Sequence, residues 1–415
     1  MTFISQDPSQ LQARMAIWNE FMVEVLNPIL QYQVPMIRLK KETPKEAVCI
    51  VFERVNTGGV PLTVFELLTA TFAADGYDLR ADWDARKAVF DQHKILVGVE
   101  QNDLLQAISL MVTKSKRDQA LATGTNLDAA PGIGCKRRDL LRLNMEDYRR
   151  WAEPVTKGFI HAARLLRQLK FFADPDLPYR SQVTSLAAIF VCLEGQAQHQ
   201  GVLSKLTRWF WCGVFGEFYG GGSETQLAKD LPEVLAWIAG GDEPSVIQQG
   251  TFSASRLLGL RTRNSAAYKG IYALLMKDGC RDLRTGESID AQVYFDDRID
   301  IHHLFPQDWC EKQGIPAKTY DSILNKTAIS ARTNRSIGGK APSEYLAKLE
   351  NSAQITSVDM DSILRSHGIE PATMRTDDPW AMWTARSEAL LTRIEAAMGK
   401  SAAHDLGDLR RPSDD

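Results

Sequence analysis

No stretch of the chain reaches the roughly eighteen uninterrupted apolar residues that would span a bilayer. Nor does the opening M-T-F-I-S-Q-D-P carry a basic region followed by an apolar core, so neither a membrane span nor a secretory signal is expected. Cysteine is sparse: Cys49, Cys135, Cys192, Cys212, Cys280 and Cys310 are scattered, with no C-x-x-C pair. That spacing argues against a zinc knuckle or a disulfide framework and points to a reduced, cytoplasmic setting. Charge of either sign is not in excess. With 49 basic and 52 acidic residues the net charge is −3, so no global basic field marks a nucleic-acid partner, although a cleft needs only a local one. A P-loop G-x-x-x-x-G-K-[ST] is missing, and no internal repeat is visible.

What is there reads as a globular, mainly α protein with a small α+β module. At 415 residues, 44% hydrophobic and 24% charged, the chain is long enough for two or three domains with cores of their own. Leu11, Met15, Trp18, Met22 and Leu26 have helical spacing, closed by Pro28, and a short β-favouring segment follows at 34–39. A second helix is expected from Pro44 through Val55, ending at N-T-G-G-V-P-L. Thr63 with Glu66 then forms a capping box that opens another helix. Helices are predicted at 81–92, 101–114, 145–170, 181–194, 203–218, 224–239 and 265–278, with glycine breaks at 220–222 and 240–241 and a loop at 122–134. The W-F-W run at 209–211 has core spacing. Lys136, Arg137, Arg138, Arg142, Arg149 and Arg150 form a basic stretch that reads first as a solvated face. Strand-like residues return at 293–295 and 298–301. A terminal helix over 380–398 precedes a polar, disordered tail at 400–415. The resulting division is 1–80, a helical domain at 81–240, a third domain at 241–399 built around 290–350, and the tail.

The chemistry concentrates in D-I-H-H-L-F-P at 300–306 and L-N-K-T-A-I-S-A-R-T-N-R-S-I-G-G-K at 324–340. Neighbouring side chains on a strand point to opposite faces, so His302 and His303 have different tasks. A neutral imidazole can deprotonate water near neutral pH, while a divalent ion can stabilise a phosphorane and its leaving oxygen. One histidine then holds a metal and the other activates water, with Pro306 fixing the turn after the strand. A second short strand and a helix ending at Gly338-Gly339 complete a strand–strand–helix order, with Asn334 facing His302 across the metal and Asn325 shaping the loop.

These residues resemble the HNH endonuclease motif, in which a D/E/H-H-x-x-P strand is followed by two asparagines. The resemblance implies a ββα-metal nuclease fold. His302 and Asn334 take its metal-ligand positions, His303 its general base and Asn325 its loop-holding position, around a single Mg²⁺ or Mn²⁺. Imidazole ligation favours Mn²⁺ or Ni²⁺ over Mg²⁺. The longer pattern, H-H-L-F-P…L-N-K-T…T-N-R-S-I-G-G-K-A-P-S-E-Y-L, is similar to the C-terminal domain of GmrSD-type modification-dependent restriction endonucleases. F-E-R-V-N-T-G-G-V-P-L-T at 52–63 resembles the second half of that family's N-terminal domain, with Asn56, Gly58 and Gly59 as its nucleotide-side motif. The resemblance implies a DNA partner, modified-cytosine phage DNA in particular, and a role in restriction and phage defence. The family's upstream D-G-Q-Q-R-type motif is missing. The chain is therefore expected to start inside that domain, which puts GTP, UTP or CTP hydrolysis by this polypeptide in doubt.

Each sharper reading has a plainer one beside it. Asp300, on the face of His302, orients that ligand or is simply solvated. Arg332, Arg335 and Lys340 bind phosphate oxygens or form a charged face. Asn56-Thr57-Gly58-Gly59 is a nucleotide-side segment or a connector between helices. His93, His161, His199, His367 and His404 have no motif around them and read as surface or core residues. The whole chain is an endonuclease, able to form a homo-oligomer, or a truncated non-catalytic DNA-binding or regulatory remnant.

Overall fold

The computed structural model describes residues 8–33, 36, 62–290, 294 and 300–406. Apart from Met36, which is exposed and in no regular element, the expected strand at 34–39 lies outside the described residues, as do the helix from Pro44 and the motif Asn56, Gly58 and Gly59. Two compact units result, Met1–Pro61 and Leu62–Asp415.

In the first unit, helix α1 spans Pro8–Phe21. Pro28 does not close it. The helix widens into a π-turn over Met22–Leu26, where Asn27 donates to the Met22 carbonyl, and continues through Asn27–Gln31. Proline removes one i→i−4 donor and crowds the carbonyl four residues back, and a widened turn just ahead of it relieves that crowding. The apolar residues Leu11, Met15 and Trp18 are exposed along this helix.

The second unit is mainly helical. Helices α2 (Val64–Ala74), α3 (Leu79–Asp91), α4 (Gln101–Ala122), α5 (Met145–Gln168), α6 (Arg180–Leu193), α7 (Gln200–Phe215), α8 (Ser223–Ile238) and α9 (Ala266–Lys277) follow the predicted pattern within a few residues. Thr63 and Glu66 form the capping box in both directions. Helix α4 outruns its prediction, because Arg117 on its far half clasps the Leu127, Ala130 and Pro131 carbonyls of the next loop. Trp209, Phe210 and Trp211 are core, each at most 1% exposed. No described helix is long and apolar enough to cross a membrane.

Two strands form the only sheet among the described residues: β1, Asp300–His303, and β2, Lys326–Ile329, antiparallel, with His302 opposite Thr327 and His303 opposite Lys326. Tyr294, expected in a strand, is helical instead, its amide donating to the Asp290 carbonyl. After β2 come α10 (Ala331–Ile337), α11 (Pro342–Ala353), α12 (Ser357–Ser366) and α13 (Pro379–Met398). Residues 400–406, expected in the disordered tail, are tied down. The Lys400 ammonium donates to the Ile247, Gln248 and Gly250 carbonyls, and Ala403 bridges to Ser253. Residues 407–415 lie outside the description.

Two buried polar groups fix the sheet to its surroundings. Asp282, fully buried, accepts hydrogen bonds from the Ser330 amide and the Thr333 hydroxyl at the start of α10, and from the amides of Arg284 and Thr285. Burial pushes its carboxyl pKa up, and these donors outweigh it and hold the group below its ordinary value. His367, also fully buried, bridges the Thr327 hydroxyl (2.7 Å) and the Arg281 carbonyl (2.6 Å), tying β2 to the end of α12.

Burial lowers the His367 pKa to about 4 despite the bond to Arg281. The unfolded chain therefore takes up a proton near pH 6.5 that the folded chain refuses until about pH 4, and stability falls as pH falls across that window. Urea unfolding at pH 6.5 and pH 5 should show about 2 kcal/mol less acid-induced loss in His367→Gln than in the parent chain. An identical loss in both would show that His367 is not the group responsible.

Candidate active site

The turn after β1 is built around Asn325. Its side chain is fully buried. Its Oδ1 accepts from the Phe305 amide, and its Nδ2 donates to the Phe305 and Tyr320 carbonyls, each at 2.9 Å. The Leu304 amide in turn donates to the Asn325 backbone carbonyl at 2.7 Å, and the Tyr345 hydroxyl from α11 caps the Leu304 carbonyl. One carboxamide thus satisfies three backbone groups of a buried loop. Asn325, expected to shape this loop, hydrogen-bonds the backbone of Phe305 and of Tyr320. Pro306 caps the short helix Gln307–Lys312 directly after this turn.

The two histidines meet different neighbours, as strand alternation requires. His302 is half-buried; its Nε2 is sealed from solvent and has no hydrogen-bond partner. Burial, then the nearby Arg263 cation, holds its pKa below the ordinary histidine value. A neutral ring with an orphaned buried nitrogen is suited to a ligand that accepts a lone pair. His303 turns the other way. Its Nε2 lies 3.1 Å from Asp321 Oδ1, and its ring meets Tyr320 edge-on at 6.1 Å. A carboxylate partner puts the proton on Nε2 and leaves the Nδ1 lone pair as the basic site. Burial and the adjacent Lys326 keep this imidazole below its ordinary pKa, against the pull of Asp321, so both rings are neutral near pH 7.

Asp321 carries no signal in the sequence, because nothing in its spacing says that a turn will bring it beside a histidine eighteen positions away. Lys326, on β2, pairs with the same carboxylate. Burial alone would raise the Asp321 pKa, and Lys326 and His303 bring it below the ordinary range. Asp282 leaves no periodic signal either, and His367, read as a surface or core residue, is core, although its spacing does not show what it ties together.

Asn334 lies half-buried on α10, whose N-terminus is fixed by the Ser330 hydroxyl accepting from the Thr333 amide. Gly338, at φ 59°, ends the helix in a backbone region that glycine enters at little cost. Arg332 and Arg335 are exposed on the same helix and form no ion pair among the described residues. Lys340, also exposed, pairs with Glu344 at 3.3 Å, a surface pair of little worth. Asp300 belongs to β1 by its backbone; its side chain is outside the described residues. Among the described residues no three His, Cys, Asp or Glu side chains gather as a metal cluster.

Replacing Asn325 by alanine strands three buried backbone groups and should cost about 3 kcal/mol or more in chemical denaturation. Asn325→Asp should cost as much, because it keeps the acceptor for Phe305 but turns an anion toward two carbonyls. A loss below about 1 kcal/mol in both variants would contradict the clamp.

No protein-family model matches the chain. It is similar to "Uncharacterized protein MJ0686" of Methanocaldococcus jannaschii, with 26% identity over 350 residues, 80% of this chain and 55% of the relative. The chain therefore spans about half the length of the curated relative it matches.

Proposed function

We propose that the chain is a metal-dependent endonuclease that hydrolyses DNA phosphodiester bonds, with β1, β2 and α10 acting as an HNH-type ββα module. One observation carries the reading. Two adjacent neutral histidines leave a clamped strand in opposite directions, one with an orphaned buried nitrogen and the other hydrogen-bonded to a carboxylate. Such a pair divides ligand work from base work.

In this reading the Nδ1 of His303 takes a proton from a water molecule aligned on the phosphorus, and Asp321 holds the ring in the tautomer that leaves Nδ1 basic. Lys326 balances the carboxylate, so Asp321 orients the imidazole without holding its proton too tightly. Arg332 and Arg335 receive non-bridging phosphate oxygens, and Lys340 joins them when it leaves Glu344. His302 and Asn334 would hold one Mg²⁺ or Mn²⁺, which supplies the positive charge that stabilises the phosphorane and the departing 3′ oxygen. The biological setting that goes with this chemistry is cytoplasmic defence against phage DNA, modified cytosines included.

Plasmid DNA and hydroxymethylated or glucosylated phage DNA, incubated with Mg²⁺ or Mn²⁺, should be cut by the parent chain and at least a hundredfold more slowly by His303→Ala. Asp321→Asn should lose part of that rate while binding DNA as tightly as the parent. Absence of cutting by the parent on every substrate, or equal cutting by His303→Ala, sinks the mechanism.

A further inference from the structure

The loop that carries Asp321 and Asn325 is backed by a segment from ahead of β1. The short helix Ser255–Gly259 packs on the turn Ile323–Asn325 and on the short helix Ala317–Tyr320. Leu257 and Leu260, both fully buried, anchor it. Two successive carbonyls then fix its exit. The Leu260 carbonyl accepts from the Ile323 amide at 2.8 Å, and the Arg261 carbonyl accepts from the Lys326 ammonium at 2.9 Å. That ammonium lies 2.5 Å from Asp321 Oδ1, which lies 3.1 Å from His303 Nε2. The backbone of residue 261 is therefore joined to the imidazole of His303 through three short contacts.

Several charged groups around this point are paired. Asp321 holds Lys326 and His303, Glu311 accepts from Gln307 and Tyr320, and Arg256 on the short helix donates twice to Glu217. Arg261 differs from them. Its side chain is exposed and makes no ion pair or hydrogen bond among the described residues. The fold holds the backbone of this residue and makes no use of its guanidinium. Such a group is suited to phosphate, because its planar fork of N–H donors matches two non-bridging oxygens. A backbone already ordered leaves only side-chain freedom to be lost on binding.

We propose that Arg261 is a phosphate-binding residue of this site, its guanidinium receiving the non-bridging oxygens of a backbone phosphate on the strand being cut. It acts from the segment ahead of β1, whereas Arg332 and Arg335 belong to α10, after β2. The strand is then gripped from two parts of the chain that only folding brings together. A contact of this kind sets the register of the strand and reads no base. The inference rests on the nuclease reading, and its test measures binding without cutting.

Binding of duplex DNA is measured in EDTA, with the full chain, across a series of salt concentrations. Each phosphate contact contributes about 0.9 to the slope of log affinity against log salt. Arg261→Gln should lower that slope by about one and weaken binding about equally on unrelated sequences. Arg261→Lys, which keeps the charge, should retain the parent slope. Both variants should melt at the parent temperature, since the 261 carbonyl stays and the side chain makes no bond in the fold. A slope and affinity in Arg261→Gln equal to those of the parent would overturn the proposal. So would loss of inorganic phosphate binding in that variant with DNA binding unchanged, which would make Arg261 a site for the free anion. A parent chain that binds no DNA would overturn this proposal and the nuclease reading together. A parent chain that binds with an Arg261-dependent slope yet cuts nothing would count against the nuclease and leave the Arg261 assignment standing.

Discussion

A single buried carboxamide holds the geometry on which the rest depends. Asn325 reaches back across the loop to Phe305 and Tyr320 and fixes the exit of β1 against the entry to β2. A two-stranded sheet of four-residue strands is marginal alone. Here it is secured at one end by this clamp, along β2 by His367 on Thr327, and at the start of α10 by Asp282 on Ser330 and Thr333. Each tie is a buried polar group with its partners in place, the condition under which such groups stiffen a structure and do not weaken it.

With the strand fixed, alternation does the chemical sorting. His302 and His303 differ by one residue, yet one is turned toward Arg263 with an unused nitrogen and the other toward Asp321, Lys326 and Tyr320. Both are neutral near pH 7, for related reasons: burial first, a neighbouring cation second. Neutrality serves a ligand and a base alike. In the proposed nuclease the surroundings of each ring, an unpartnered nitrogen in one case and a carboxylate in the other, would separate the two tasks.

Much of this was legible in residue order, and the gaps have physical causes. The Thr63–Glu66 box, the helical period of 145–168 and the glycine at 338 are local signals, and the elements they announce are there. Asn325 was singled out by the motif that its segment resembles. Asp321, Asp282 and His367 were not, because their partners lie 18, 48 and 40 residues away and their value arises only on folding. The helix that runs past Pro28 shows the other kind of miss: a local rule yields when a π-turn takes up the lost hydrogen bond. Residues 400–406 read as polar tail, yet the Lys400 ammonium satisfies three carbonyls at a helix end.

The division of labour between the adjacent histidines is tested most directly by Mn²⁺ binding, followed by calorimetry on the parent chain and on His302→Ala, His303→Ala and Asn334→Ala. The account predicts one ion per chain, lost in His302→Ala and in Asn334→Ala and retained in His303→Ala. Binding that survives His302→Ala, or that disappears in His303→Ala, would contradict it.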